Sequence, residues 1–265
     1  MDITSGLNPA QKEAVETLNG PLLVLAGAGS GKTRVITYRI AYMLEKHKIA
    51  PGSILAITFT NKAANEMKER ITSLVGDSSR FIWGGTFHSI FARILRRHAE
   101  LIGYTDSFNI IDTDDQLKLI KKAMTDLNIS EKLYKPRNFQ FEISKQKNEM
   151  ISAEEYSKRV GQDPASKNNA NVYKYYQKYL MENNSMDFDD ILVNMVNLLR
   201  NNPDVLEFYQ NKFKYIMVDE YQDTNRAQYL AVRLLSQSHH NLCVVGDDDQ
   251  SIYSFRGADV RMILS

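Results

Sequence analysis

The chain has 265 residues, of which 43% are apolar and 25% charged, enough apolar material for a buried core and an ordinary charge density for a wetted surface. A formal net charge of +1 excludes a strongly basic body, so any affinity for nucleic acid must come from a local surface. No run approaches the roughly 18 uninterrupted apolar residues that cross a bilayer, and the N-terminal stretch lacks a basic flank ahead of an apolar segment, so no membrane attachment or export is expected and the expected compartment is the cytoplasm. A single cysteine, Cys243, excludes an internal disulfide and a cysteine-rich metal site, and the five histidines show no metal-ligand spacing.

In chain order, Leu22-Leu23-Val24-Leu25 is a short apolar run ending in glycines, followed by helical spacing of apolar residues from Val35 to Leu44. Ile54-Leu55-Ala56-Ile57 is a second run, with a helical stretch from about Asn61 to Leu74. Phe81-Ile82-Trp83 is a third, leading into a helix through Ile90, Ile94 and Leu95. Short apolar runs separated by single amphipathic helices predict a parallel sheet covered on both faces. The pattern returns at Tyr215-Ile216-Met217-Val218 and Leu242-Cys243-Val244-Val245, separated by a helix over Arg226 to Leu235; Cys243 in such a run is expected to be a packing residue.

Between about Phe108 and Asn183 the strand signal fades. Thr113 with Gln116, and Ser152 with Glu155, have capping-box spacing. Leu117, Ile120, Met124 and Leu127 share one helical face, and Val172, Tyr175, Tyr176 and Tyr179 form another stripe. Asn168-Asn169 and Asn183-Asn184 are expected in loops. The expected architecture is therefore α/β, with a mainly helical subdomain at 108–183 inserted into a sheet domain made of 1–107 and 184–265.

The run Gly27-Ala28-Gly29-Ser30-Gly31-Lys32-Thr33 links the first apolar run to the first long helix. It differs from the phosphate-loop pattern G-x-x-x-x-G-K-[ST] in having Ala26 at the first glycine, with Gly27 one position later. Backbone without side chains can wrap an anion and aim N–H groups at it. The helix start adds its dipole and free amides. Lys32 would reach the outer two phosphates and the Thr33 hydroxyl would ligate magnesium.

Val218-Asp219-Glu220 closes the fourth apolar run, where carboxylates face the ligand crevice of an open parallel sheet. Asp219 can hold magnesium there, and Glu220 can orient and deprotonate an attacking water, the positioning that phosphoryl transfer requires. Gly246-Asp247-Asp248-Asp249-Gln250 follows the fifth run, and Gln250 could bond the terminal phosphate or the attacking water.

These segments, with Ile57-Thr58-Phe59-Thr60-Asn61-Lys62-Ala63-Ala64, Thr86-Phe87-His88, Asp187-Phe188-Asp189-Asp190, Val218-Asp219-Glu220-Tyr221-Gln222-Asp223 and Val245–Ala258, stand in the order of the N-terminal motifs of superfamily 1 DNA helicases of the UvrD, Rep and PcrA type, which the chain resembles from Leu7 to Ala258. The resemblance implies a RecA-like phosphate-loop NTPase sheet that uses ATP and magnesium, binds single-stranded and duplex DNA, and moves 3′ to 5′. It places Gln11, Ala28, Gly29, Ser30, Gly31, Lys32, Thr33 and Arg34 around ATP, with Gln11 at the adenine edge. Thr33 and Asp219 would serve the metal, and Lys32, Glu220 and Gln250 catalysis. Phe59, Asn61, Phe87, His88, Phe188, Tyr253 and Phe255 would line a single-strand track, where aromatic faces grip any base. Phe255 stands where the family usually carries tryptophan, and Arg256 would be tied to the acidic motif or the phosphate end of the site. The resemblance also implies a second motor domain that this sequence does not contain. A motor belonging to a helicase–nuclease complex, or a portion that only binds nucleotide and DNA, are the alternative expectations.

Overall fold

The computed structural model describes residues 3–27 and 31–247. The chain divides into two compact units: Met1–Ile90 with Leu199–Thr224 and Gln228–Ser265, and Phe91–Leu198 with Asn225–Ala227.

The first unit is built on a parallel sheet of five strands, β1 (Leu22–Leu25), β2 (Ile54–Thr58), β3 (Trp83–Thr86), β6 (Tyr215–Val218) and β7 (Leu242–Gly246), in the order β1-β7-β6-β2-β3. Register runs from Leu22 opposite Cys243, through Ile216 opposite Leu242 and Ile54 opposite Tyr215, to Leu55 opposite Trp83. Parallel pairing demands crossover helices, and α1 (Pro9–Glu16), α2 (Lys32–Glu45), α3 (Asn61–Val75), α10 (Pro203–Lys212) and most of α11 (Arg226–Ser236) belong to this unit. Ile54, Ala56, Met217, Cys243 and Val245 alternate onto one face and pack with Ile36, Ile40 and Met43 of α2 and Met67 and Ile71 of α3. Leu55, Ile57, Ile216 and Val218 are buried as well, so the central strands are covered on both faces. Cys243 is a packing residue, and burial pushes its thiol up to about 11.

The third strand departs from the expectation. Phe81 ends a short 3₁₀ turn and is exposed, while the strand runs Trp83-Gly84-Gly85-Thr86. A Cβ on Gly85 would stand 2.7 Å from Ser89 Oγ and 3.3 Å from Ile90 Cγ1, at the start of α4 (Phe87–Arg97). Close helix–strand approach therefore selects glycine where the hydrophobic pattern looks for bulk. Trp83 is anchored by Phe213, whose ring lies edge-on with centroids 5.2 Å apart.

One charged side chain is sunk in this unit. Arg39 of α2 is buried and donates to the carbonyls of Ala14, Thr17 and Leu18, where α1 ends. Unpaired carbonyls at a helix C-terminus carry partial negative charge. The guanidinium thus caps α1 and fastens it to α2, although burial holds its pKa below the ordinary arginine value.

The second unit is mainly helical, with α5 (Thr113–Asp126), α6 (Pro136–Asn148), α7 (Ala153–Arg159), α8 (Pro164–Glu182) and the greater part of α4 and α9 (Phe188–Asn201). Its core joins Leu119, Ile120 and Met124 of α5, Phe139 and Ile143 of α6, and Val172, Tyr173 and Tyr176 of α8. Ser152 and Glu155 form the expected capping box. Thr113 does not cap α5; Asp112 does, accepting the N–H groups of Asp114 and Asp115 at 2.9 Å each. A carboxylate one residue earlier supplies the stronger acceptor. Asn168-Asn169 lies inside α8 and not in a loop, because Asp163 caps and Pro164 opens a helix that runs through it. Two short strands, β4 (Asn109–Ile110) and β5 (Ser185–Met186), pair in parallel where the sequence shows no strand signal.

Candidate nucleotide site

The sheet brings the chemistry-bearing residues to one edge. Every strand is parallel, so the C-terminal ends of β1, β7 and β6 deliver Gly27, Asp247 and Asp219-Glu220 side by side, and those of β2 and β3 deliver Phe59 and Phe87. That end of an open parallel sheet is where ligands bind.

At the start of α2, Gly31 is in the left-handed region (φ 87°). A Cβ there would also lie 3.1 Å from Gln11 Nε2, so any side chain at 31 is opposed twice. The same contact places the Gln11 amide beside the loop. Gln11 is held by a capping box in which its Oε1 accepts the Asn8 N–H at 3.2 Å and its own N–H donates to Asn8 Oδ1 at 2.8 Å.

Lys32, in the first turn of α2, is buried, with Nζ 3.5 Å from both Glu220 Oε2 and Asp247 Oδ2. Thr33 Oγ1 donates to Asp219 Oδ2 at 3.0 Å. Asp219 is 1% exposed. Burial pushes its carboxyl above the ordinary range, the Glu220 charge adds to this, and the Thr33 hydrogen bond and Lys32 oppose it. A hydroxyl and a carboxylate converging at 3.0 Å are hard oxygen donors of the kind magnesium takes, so the pair fits that ion.

Glu220 adopts φ 52°, ψ 43°, a left-handed conformation uncommon outside glycine and asparagine. The turn folds the Glu220 N–H back onto Asp219 Oδ1 at 3.0 Å. Gln222 then reaches back, donating from Nε2 to Glu220 Oε2 at 2.6 Å, and its Oε1 accepts the Asp247 N–H at 3.0 Å. Gln222 and Asp247 stand inside segments that the sequence singles out, but neither has a role of its own there; the signal for Asp247 is that it follows an apolar run and a glycine.

Arg34 donates to the Gly6 carbonyl at 2.9 Å and lies over the Tyr38 ring at 5.1 Å. With Thr37, Tyr38, Arg70, Ser73 and Leu74 it lines a cleft of about 260 Å³ beside α2. Ala28, Gly29, Ser30, Gln250, Tyr253, Phe255 and Arg256 lie outside the described residues.

Among the residues expected on a single-strand track, Phe59 and His88 are half-buried and Asn61 is exposed in the first turn of α3, whose N-cap Thr60 accepts the Ala63 N–H. Phe87 is 1% exposed and packs edge-on against Phe59 with centroids 5.3 Å apart; its ring is core, backing Phe59. In the second unit Phe188 is 44% exposed at the start of α9. It is presented by a buried polar cluster. Asp187 and Asp190 each accept the other's backbone N–H, at 2.8 and 3.1 Å, and Lys147 Nζ lies 2.7 Å from Asp187 Oδ2 and 2.8 Å from Asp190 Oδ1. The Tyr176 hydroxyl donates to Asp187 Oδ2 at 2.8 Å. Burial alone would raise the Asp187 carboxyl, yet Lys147 holds it below its ordinary value; burial and the Asp187 charge push Asp190 up.

A parallel sheet whose first strand leads through glycine into a Lys-Thr helix start, with carboxylates after the next two strands across the sheet, defines a phosphate-loop nucleotide-binding protein of the α/β class. The match extends further: residues 7–265 match the UvrD/REP helicase N-terminal domain, and the chain belongs to that family. It is 54% identical over 265 residues to the ATP-dependent DNA helicase PcrA of Bacillus subtilis, covering 99% of this chain and 36% of that protein. It is 54% identical over 259 residues to the protein of that name from Staphylococcus aureus (98% and 35%), and 53% identical over 263 residues to that of Staphylococcus epidermidis (99% and 36%). The chain thus spans about a third of the length of the curated relatives it matches. Among the described residues no helix is long and apolar enough to cross a membrane.

Proposed function

We propose that this chain is the N-terminal, ATP-binding portion of an ATP-dependent DNA helicase that works in the cytoplasm, hydrolysing ATP with magnesium and moving 3′ to 5′ on single-stranded DNA to separate duplex. The observation that carries this reading is the division of one sheet edge, with Lys32, Thr33, Asp219 and Glu220 converging after β1 and β6 while Phe59, Asn61 and His88 follow the neighbouring β2 and β3. The motor domain would comprise 1–107 and 184–265, with 108–183 as the helical insertion.

In this reading Lys32 binds the outer phosphates, Gln11 meets the adenine edge, and Thr33 with Asp219 holds magnesium, which offsets phosphate charge. Glu220 takes a proton from water as the water oxygen bonds to the terminal phosphorus. The bond from that phosphorus to the bridging oxygen breaks, and ADP leaves with the electron pair. Gln250 would relay nucleotide state to the strand, and Tyr253 and Phe255 would line the track that holds it. Phe59, Asn61, His88 and Phe188 would meet the strand, with Phe87 supporting Phe59.

The test compares full-length protein with its Lys32→Ala and Glu220→Gln variants in ATP hydrolysis with and without single-stranded DNA. Loss of DNA-stimulated turnover in both, with nucleotide binding kept in Glu220→Gln, is expected. Near-normal turnover in a folded Lys32→Ala protein overturns the site. The 265-residue chain alone is expected to bind ATP but turn over poorly and displace no strand, since an arginine supplied across a phosphate-loop site is worth about 10³–10⁵ in rate.

A further inference from the structure

Gln222 is buried between the ends of β6 and β7 and uses both ends of its amide. Its Nε2 donates to Glu220 Oε2 at 2.6 Å, and its Oε1 accepts the Asp247 backbone N–H at 3.0 Å. Glu220 Oε2 also lies 3.5 Å from Lys32 Nζ. That oxygen thus takes the Gln222 hydrogen bond while facing the Lys32 ammonium, and the two contacts fix how the carboxylate is turned. The surroundings are shaped for this bridge. A Cβ on Gly246 would come within 2.8 Å of Gln222 Oε1 and 3.4 Å of its backbone nitrogen, and β7 ends in glycine where the amide passes.

We infer that Gln222 is a positioning residue for ATP hydrolysis, fixing the orientation of the Glu220 carboxylate and tying it to the backbone at Asp247. The inference rests on the reading of Glu220 as the general base. Its consequence is that the start of the segment leading to Gln250, three residues further along the sequence, and the base are joined through one side chain. A shift of the backbone at Asp247 moves the acceptor of the proton. A general base must sit within hydrogen-bond reach of the water it activates, and a misplacement of about 1 Å lowers rates by on the order of 10²-fold.

The experiment uses the full-length protein and its Gln222→Met, Gln222→Glu and Glu220→Gln variants. Turnover at saturating ATP and single-stranded DNA is measured beside nucleotide affinity and thermal melting. Gln222→Met removes both hydrogen bonds at similar volume and is expected to lower turnover by on the order of 10²-fold while nucleotide affinity stays near wild type. Gln222→Glu keeps the acceptor for the Asp247 N–H but sets a carboxylate against Glu220. Two carboxylates at that distance repel each other and turn the Glu220 side chain from its place, so turnover at saturation is expected to fall while nucleotide affinity is kept. A role confined to stability does not separate turnover from affinity in this way. Wild-type turnover in Gln222→Glu, beside an inactive Glu220→Gln, overturns the inference alone. Turnover retained by Glu220→Gln overturns the base assignment and the inference with it. Parallel loss of melting temperature and nucleotide affinity in both Gln222 variants, with turnover at saturation unchanged, also overturns it.

Discussion

Replacing Lys147 by methionine isolates the buried cluster that carries Phe188. Lys147 is 2% exposed and its Nζ lies 2.7 and 2.8 Å from carboxylates that are themselves buried. Methionine fills most of the volume and removes the charge, leaving Asp187 and Asp190 facing each other in a site that water does not reach. Removing one partner of a buried ion pair destabilises by about 3–5 kcal/mol, a large share of the ~5–15 kcal/mol that holds a domain together. The sign of the pH dependence follows from the two carboxyls. In the wild-type chain Asp187 is held below its ordinary value by Lys147, so its contribution is present above the unfolded carboxylate pKa and is lost as pH falls through the lower folded value. Asp190 is already raised in the wild-type chain, which therefore gains some stability toward acid; without Lys147 Asp187 is raised as well and Asp190 further, and the folded variant takes up more protons while the unfolded chain is still ionised. Its stability therefore rises as pH falls from neutrality toward about 4, and the gap to wild type narrows. Denaturant unfolding of both proteins at neutral and mildly acidic pH measures this gap. A gap that is the same at both pH values, or that stays within the roughly 0.5 kcal/mol of an ordinary surface change, refutes the reasoning. Adding Asp187→Asn and Asp190→Asn to Lys147→Met removes the stranded charge and is expected to recover part of the loss.

Phe59→Ala and Phe87→Ala separate a half-buried platform from its buried support. Phe87→Ala is expected to destabilise the fold by about 3–5 kcal/mol as a core truncation, whereas Phe59→Ala is expected to weaken single-strand binding by about 1–3 kcal/mol; melts beside a DNA titration distinguish them, and the reverse pattern exchanges the roles. Gly85→Ala is expected to destabilise by about 1–3 kcal/mol through overpacking against Ser89 and Ile90. Because Ser89 Oγ is held by Thr86, with the Thr86 N–H donating to it at 3.0 Å, the double variant with Ser89→Ala is expected to recover stability in chemical denaturation, and failure to recover identifies Ile90 as the obstacle.

Much of the sheet was legible because burial on both faces of a parallel strand leaves a continuous apolar run, as in β2, β6 and β7; β1 carries such a run too, although it lies at the sheet edge with Leu23 and Leu25 exposed. β3 was read two residues early because close packing of α4 demands glycine at Gly85, and glycine is silent in a hydrophobic pattern. The convergence of Lys32, Thr33, Asp219 and Glu220 was legible because strand ends in a parallel sheet share one edge, and each residue follows an apolar run or a glycine loop. Burial was not. Phe87 and Phe59 read alike as aromatics near strand ends, and only packing assigns one to the core. Lys147 reads as a surface lysine in α6, and its partners lie forty residues away in sequence. Gln222 stands in plain view inside the acidic segment, but its two hydrogen bonds depend on the left-handed turn at Glu220 and on the neighbouring strand.

The charges at the site lead to a prediction of opposite sign in two solvents. One lysine, Lys32, faces the carboxylates of Asp219, Glu220 and Asp247, of which Asp219 is so deeply placed that burial already disfavours its charge. Phosphates approaching Lys32 also approach these carboxylates. A unit charge about 8 Å away at an effective dielectric near 20 contributes about 2 kcal/mol per unit of phosphate charge, by Coulomb's law. Metal-free ATP should therefore be repelled by Asp219, while a divalent cation held there turns the same carboxylate into an attraction. Asp219→Asn keeps the volume and a partner for Thr33 but removes the charge. It is expected to bind ATP in the presence of a chelator more tightly than wild type, and to gain far less affinity when magnesium is added. Fluorescence titration of the 265-residue chain in both solvents reads the two affinities without relying on turnover. If the variant binds metal-free ATP no better than wild type while losing the response to magnesium, Asp219 acts on the metal alone and its repulsion of the phosphates is screened. If the response to magnesium is intact, Asp219 is not where the metal is held.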